Sequence, residues 1–249
     1  MSANRASAGP RTVQLHRADA VDYQIALDWQ RASAEAVRDS RSTAANSEAR
    51  SVESLALIQH RTVYTLGARA DISNVLVSRE ALAARDATVI EVDRGGDVTF
   101  HGPGQLVAYP VLDLHARGIR AVDYVRLLEQ TVIDVLEAFD LHAERVRGRP
   151  GVWANGAKVA AVGVRVSRGV STHGLALNVD TDLTWFEAIV PCGIADAEVT
   201  SMARLLEGTP RFEDVVGAYR AVFEQRFDSH LVEAEASPLE AVVTEAVSA

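Results

Sequence analysis

The sequence predicts an α/β protein of the α+β type, with helices flanking a core of mixed and antiparallel strands. Three observations point there: amphipathic helical stripes, short apolar runs punctuated by glycine, and the hairpin signal Asn155-Gly156 between two strand-like segments. No internal repeat or linker divides the 249 residues, so one domain over 1–249 is expected, with flexible tails at about 1–12 and 229–249.

After a polar start, Val21, Ile25, Trp29, Ala32 and Ala36 fall at helical spacing, which places a first helix over Asp19 to Val37. RDSRSTAANSEARS, from Arg38 to Ser51, reads as an exposed loop, and SLALIQH and TVYTL read as short strands. SREALAARD is helical in pattern, followed by the strand-like runs ATVIEVD, DVTFH and QLVAYPVLDL. Ala121 to Phe139 is a long amphipathic helix. GVWA, AKVAAVGVRV and THGLALNV then form a three-stranded meander, turned at Asn155-Gly156 and at SRGVS. A last helix covers Phe212 to Phe227, and the Glu/Ala-rich remainder after Asp228 lacks aromatics and reads as frayed.

A composition of 48% hydrophobic and 24% charged residues is that of an ordinary globular protein. The net charge of -9 repels duplex nucleic acid and anionic membrane surfaces, and no basic run interleaved with aromatics offsets it. No apolar run approaches the roughly 20 residues that span a bilayer, and the start lacks the apolar centre of a secretory signal, so the cytoplasm is the expected compartment. Cys192 is the only cysteine, which rules out an internal disulfide and any site built from several thiolates.

Lys158 is equally solitary: it is the one lysine among 25 basic side chains. Arginine supplies positive charge as well as lysine does but holds its proton at neutral pH, so a lone amine hints at proton chemistry. A compositional preference for arginine accounts for it too. Cys192 lies between Pro191 and Gly193, where neither a helix nor a central strand continues. It reads either as a buried inert thiol or as a nucleophile, whose pKa of about 8.5 a nearby ammonium would lower.

RGGDVTFHGPGQ gathers Gly95, Gly96, Gly102 and Gly104 around Arg94 and His101. Such density lets a ligand approach the backbone, or simply makes turns. It is neither a dinucleotide fingerprint nor a phosphate-binding loop with Gly-Lys-Ser/Thr. His60, His101 and His173 lack the close pairing of common zinc sites; polar residues lining a pocket are the expected reading, with no metal.

Taken together, RGGDVTFHGPGQLVAYPVLDL, GVWANGAKVAAVGVRV, THGLALNVDTDLTWFEAIVPCGI and, more loosely, LIQHRTVYTLG resemble the lipoyl(octanoyl) transferase family, the octanoyl-[acyl-carrier-protein]:protein N-octanoyltransferases. The blocks stand in the family's order over most of Leu55 to Ile194. The resemblance implies the catalytic core shared with biotin and lipoate protein ligases, with Cys192 as acyl-thioester nucleophile and Lys158 as its partner. It further implies substrate-binding segments at Arg94, Gly95, Gly96, Asp97, Val98, Thr99, Phe100 and His101, at Ala161, Val162 and Gly163, and at Gly174, Leu175 and Ala176. The implied donor is octanoyl-acyl carrier protein. The implied acceptors are lipoyl domains of 2-oxoacid dehydrogenase acyltransferase subunits and the glycine cleavage H protein, with no cofactor. The sequence departs from the family at Gln59, where an acidic residue is common, and at Phe100, where tyrosine is common.

Three other readings fit parts of the pattern: an ATP-dependent lipoate or biotin protein ligase, an amidotransferase working between lipoyl domains, and a silent lipoyl-domain-binding protein. Retention of both Cys192 and Lys158 argues against the last. Arg145, Arg147 and Arg149 form the densest basic cluster, a candidate docking patch for an acidic carrier or an ordinary solvated loop.

Overall fold

The computed structural model describes residues 9–43, 52–190, 198–206 and 208–239. An eight-stranded mixed sheet forms the body. Its strands are β1 (Arg11–Val21), β2 (Glu53–His60), β6 (Gln105–Val111), β7 (Glu144–Val146), β8 (Arg149–Ala154), β9 (Ala157–Ser167), β10 (Val170–Asn178) and β11 (Ser229–Glu233), in the order β11-β1-β2-β6-β10-β9-β8-β7. β1 runs parallel to both neighbours, and β2 through β7 pair antiparallel. A second sheet, β4-β3-β5, comprises β3 (Val63–Leu66), β4 (Thr88–Glu91) and β5 (Val98–His101).

Helices cover both faces of the large sheet. α1 (Tyr23–Thr43) buries Ala26, Trp29, Ala34 and Val37 against Val107, Tyr109 and Val111. On the other face, α4 (Ala121–Glu137) and α6 (Phe212–Phe227) enclose Leu128, Val132, Val135, Tyr219 and Phe223 with Leu106, Val159 and Leu177. Both display the three-to-four-residue apolar spacing that makes one helical face a core face. The short helices α2 (Arg79–Ala83), α3 (Leu114–Arg117) and α5 (Met202–Leu205) are each capped by a side chain, from Ser78, Asp113 and Ser201. No described helix is long and apolar enough to cross a membrane.

Two expectations are corrected. The chain preceding the first helix is not a polar tail: Arg11–Val21 is a strand, its Val13 and Leu15 buried, and α1 begins only at Tyr23 and takes in the first residues of the expected loop, up to Thr43, the rest of that loop lying outside the described residues. Ser229–Glu233, expected to be flexible, pairs with Arg11–Leu15 residue for residue. The pairing is between segments from opposite ends of the chain, so no local pattern announces it. The meander is as expected, with Asn155 and Gly156 both at positive φ, 50° and 82°.

A buried ion pair fastens this edge. Arg117 donates to both oxygens of Glu53, at 2.8 and 2.6 Å, and to the Phe227 carbonyl at 2.5 Å, with the two side chains 4% and 1% exposed. Glu53 also accepts the Asp113 N–H at 2.8 Å.

Candidate active site

A cavity of about 460 Å³ opens where β9 and β10 face the loop before β5. That volume lies in the range of small-molecule sites. Two segments singled out in the sequence are register partners here: Ala161 opposite Ala176, Val162 opposite Leu175, Gly163 opposite Gly174. All six line the cavity, with Arg94, Gly95, Gly96, Asp97, Val98, Thr99, His101 and Lys158. Close approach crowds a side chain at one of these positions and forbids it at another. A Cβ on Gly163 would stand 3.0 Å from the Gly95 carbonyl, and one on Gly174 would collide with the Ala108 carbonyl of β6.

Phe100 is the exception among the described residues. Its ring turns away from the cavity to stack on Trp185 at 5.7 Å and to meet Phe186 edge-on at 5.4 Å and Tyr64 at 5.4 Å. It thereby anchors the 3-10 helix Leu183–Ala188, which leads to Val190. Cys192, with Pro191 and Gly193, lies outside the described residues. Both flanks of that stretch are bonded: Val190 N–H donates to the Asn74 carbonyl at 2.8 Å, and beyond it Lys158 N–H donates to Glu198 O at 2.8 Å while Thr200 N–H donates to Lys158 O at 2.9 Å.

Lys158 sits opposite Trp153 across the hairpin, 4% exposed, its ammonium 5.1 Å from the indole centroid. A directed hydrogen-bond chain reaches its backbone from the far wall. Arg94 Nη2 donates to Thr65 Oγ1 at 2.8 Å, and Thr65 Oγ1 lies 3.4 Å from His101 Nε2. His101 Nδ1 meets Gln105 Oε1 at 2.8 Å. Gln105 then donates to Asn178 Oδ1 at 3.0 Å, and Asn178 to Thr200 O at 2.9 Å. Because the Gln105 amide nitrogen is committed to Asn178 and Phe100 O, its oxygen faces His101, which fixes the proton of this imidazole on Nδ1.

The three histidines are drawn to one side of the cavity. His60 donates from Nδ1 to Val21 O at 3.0 Å and accepts from Tyr109 Oη at 2.8 Å, while His173 Nε2 donates to Asp93 Oδ1 at 2.9 Å. Burial holds all three neutral: His60 is lowered to about 4 and His173 to about 3, and His101 falls well below the usual imidazole value, with Arg94 adding to the last two. Burial also raises the Tyr23 and Tyr109 phenols, Tyr109 the more strongly. Tyr23, Arg69, Tyr109, Gly148 and Pro150 line the cavity without having been placed there from sequence, whereas His101 and His173 line it as expected. The available signal was a polar ring inside an otherwise apolar strand, as at Tyr109 in QLVAYPV.

The chain matches the family described as the lipoyl protein ligase A/B catalytic domain over residues 22–224. It is 42% identical over 223 residues to an octanoyltransferase of Chloroflexus aggregans, covering 87% of this chain and 97% of that one. It is also 37% identical over 220 residues to an octanoyltransferase of Parabacteroides distasonis, covering 86% and 98%. Among solved structures, a bi-partite lipoate protein ligase from Thermoplasma acidophilum superposes with a TM-score of 0.65 at 15% identity, covering 91% of this chain and 86% of that one. A lipoate-protein ligase A bound with ATP gives 0.65 at 15%, covering 91% and 88%. The fold is therefore that of lipoate ligases, and the sequence likeness is to a transferase. The chain belongs to the lipoyl protein ligase A/B catalytic family and, within it, to the octanoyltransferases, which makes it an acyltransferase of protein lipoylation.

Proposed function

We propose that the chain moves an octanoyl group from octanoyl-acyl carrier protein to a lysine of apo lipoyl domains, those of 2-oxoacid dehydrogenase acyltransferase subunits and of the glycine cleavage H protein, through a thioester on Cys192. The observation that carries this reading is the position of Lys158. The only lysine of the chain is buried on the cavity wall, and its backbone is bonded to Glu198 and Thr200, just beyond the Cys192 stretch in sequence.

The Cys192 thiolate, its proton taken up by Lys158, attacks the carbonyl of the donor thioester; a new C–S bond forms, the old one breaks, and the phosphopantetheine thiol leaves with the proton that Lys158 returns. Exchange of one thioester for another is nearly neutral in free energy. The acceptor amine then attacks, a C–N bond forms, and the bond to Cys192 breaks. Lys158 passes the surplus amine proton to the departing sulfur. Amide formation makes this second step downhill, so its balance needs no ATP. The apolar wall of Val162, Leu175 and Ala176 suits an alkyl chain, and the glycines bring backbone close to the reacting carbonyl.

Intact mass spectrometry after mixing with octanoyl-carrier protein tests the reading. One hydroxylamine-labile octanoyl adduct on Cys192, discharged by an apo lipoyl domain, is expected. Absence of the adduct together with full activity in Cys192→Ala would overturn it, and transfer of free octanoate only with ATP would indicate a ligase instead.

A further inference from the structure

A second concavity, a groove of about 680 Å³, adjoins the cavity and is lined by Arg126, Arg145, Arg147 and Arg149. Gly148 and Pro150 line both spaces, so the groove and the cavity share a wall. Four guanidinium groups gathered on a chain of net charge -9 are a local reversal of sign.

Part of this charge is spoken for. Glu129, the one carboxylate among the described residues lining the groove, pairs with Arg145 Nε at 3.2 Å and accepts the Gly151 N–H at 3.1 Å. Arg145 also donates to the Arg126 carbonyl at 2.9 Å and to Gln130 at 2.8 Å, which holds its side chain against α4. The groove nevertheless keeps a clear cationic excess. Arg126 and Arg147 are exposed, the latter in the β7–β8 turn beside Gly148, whose φ is +80°.

The reach is suitable. Gly151 lies three residues beyond Gly148, about 10 Å at the usual strand rise, and the Cβ position of Gly151 is 3.5 Å from Lys158 Cε. An anion seated in the groove is thus within the reach of an extended phosphopantetheine arm from the lysine.

We propose that this groove binds the phosphate of the arm that carries the acyl thioester, holding the donor's charged end while its thioester enters the cavity. Guanidinium groups suit a phosphate through paired N–H donors, and the shared wall makes the groove part of the donor's entry route. The inference deepens the proposed function and rests on its reading of the donor as a phosphopantetheine thioester.

Calorimetric titration of the full chain with pantetheine 4′-phosphate and with pantetheine, at low ionic strength, tests it. The phosphorylated ligand should bind about tenfold more tightly, inorganic phosphate should compete with it alone, and added salt should shrink the difference. In Arg126→Glu/Arg147→Glu the preference should vanish while pantetheine binding stays unchanged; Arg126→Gln/Arg147→Gln should fall between. Equal binding of the two ligands by the wild type, or an undiminished preference in the Glu variant, would overturn the proposal. So would loss of both ligands together, which would mark a collapsed cavity. Binding is read without acylation, so a failure of the Cys192 thioester would appear separately, in the mass measurement.

Discussion

His173 Nε2 lies 2.9 Å from Asp93 Oδ1, so a neutral imidazole on β10 holds the residue immediately before Arg94. Arg165 pairs with the same carboxylate, and Gly95 N–H donates to Val164 O at 2.9 Å. Three contacts therefore clamp the Arg94-Gly95-Gly96 wall onto the β9–β10 hairpin. His173 acts as a positioning residue. It adopts φ of 56°, a conformation that asparagine tolerates, so His173→Asn keeps the backbone while falling short of Asp93. Loss of one hydrogen bond to a charged group is worth about 1.5–3 kcal/mol. We expect KM for the octanoyl donor to rise about tenfold or more with a smaller change in kcat. Asp93→Ala should have the larger effect, because it releases Arg165 as well. A pure kcat loss in steady-state kinetics would refute positioning.

Acid should weaken the fold before carboxylates titrate. His60 falls from 6.5 to about 4 on folding because burial disfavours its cation. Above pH 6.5 neither state binds the proton; between 6.5 and 4 the unfolded chain takes it up and the folded chain does not, so stability falls as pH falls through this window. His60 alone contributes about 3 kcal/mol over the whole window, and His101 and His173 act in the same direction. The urea midpoint should therefore drop between pH 7.5 and 5. A flat midpoint over that range would contradict neutral burial.

Lys158→Arg should lose acyl transfer by about 10²-fold or more, the scale of general acid–base contributions. Arginine keeps the charge over Trp153 but does not exchange protons near neutral pH. The alkylation rate of Cys192 against pH should change less in Lys158→Arg than in Lys158→Ala, and thermal unfolding of each variant controls for the crowding expected near Gly151. Near-normal turnover in Lys158→Arg would mean that charge alone suffices.

Arg117→Ala should cost about 3–5 kcal/mol of unfolding free energy, because it strands the buried Glu53 carboxylate. Replacing both partners, as Glu53→Gln/Arg117→Met, should recover much of the loss. Chemical denaturation of the two variants makes the comparison; equal destabilisation would show that packing, not the unpaired charge, dominates.

The helices and the meander were legible because their signals are local: a 3.6-residue stripe from Ala121 onward, and Asn155-Gly156 between strands. The cavity segments were legible through resemblance, and strand pairing explains why Ala161–Gly163 and Gly174–Ala176 belong together. Phe100 shares a motif with Thr99 and His101 but, by strand alternation, points to the opposite side. β1 escaped notice because its brief alternation competes with the longer helical stripe beginning two residues beyond it. Tyr109 gave no alternation at all, since every residue of β6 is buried.

β1 is also the strand that waits. One of its edges is met by β2 and the other by β11, whose residues follow the last helix. During synthesis the sheet stays unfinished until Ser229–Glu233 has left the ribosome, so the N-terminal strand presents open backbone groups while the catalytic centre is already assembling. Premature termination before Ser229 would leave every cavity residue in the product and still yield a sticky one, with exposed backbone at its margin inviting self-association.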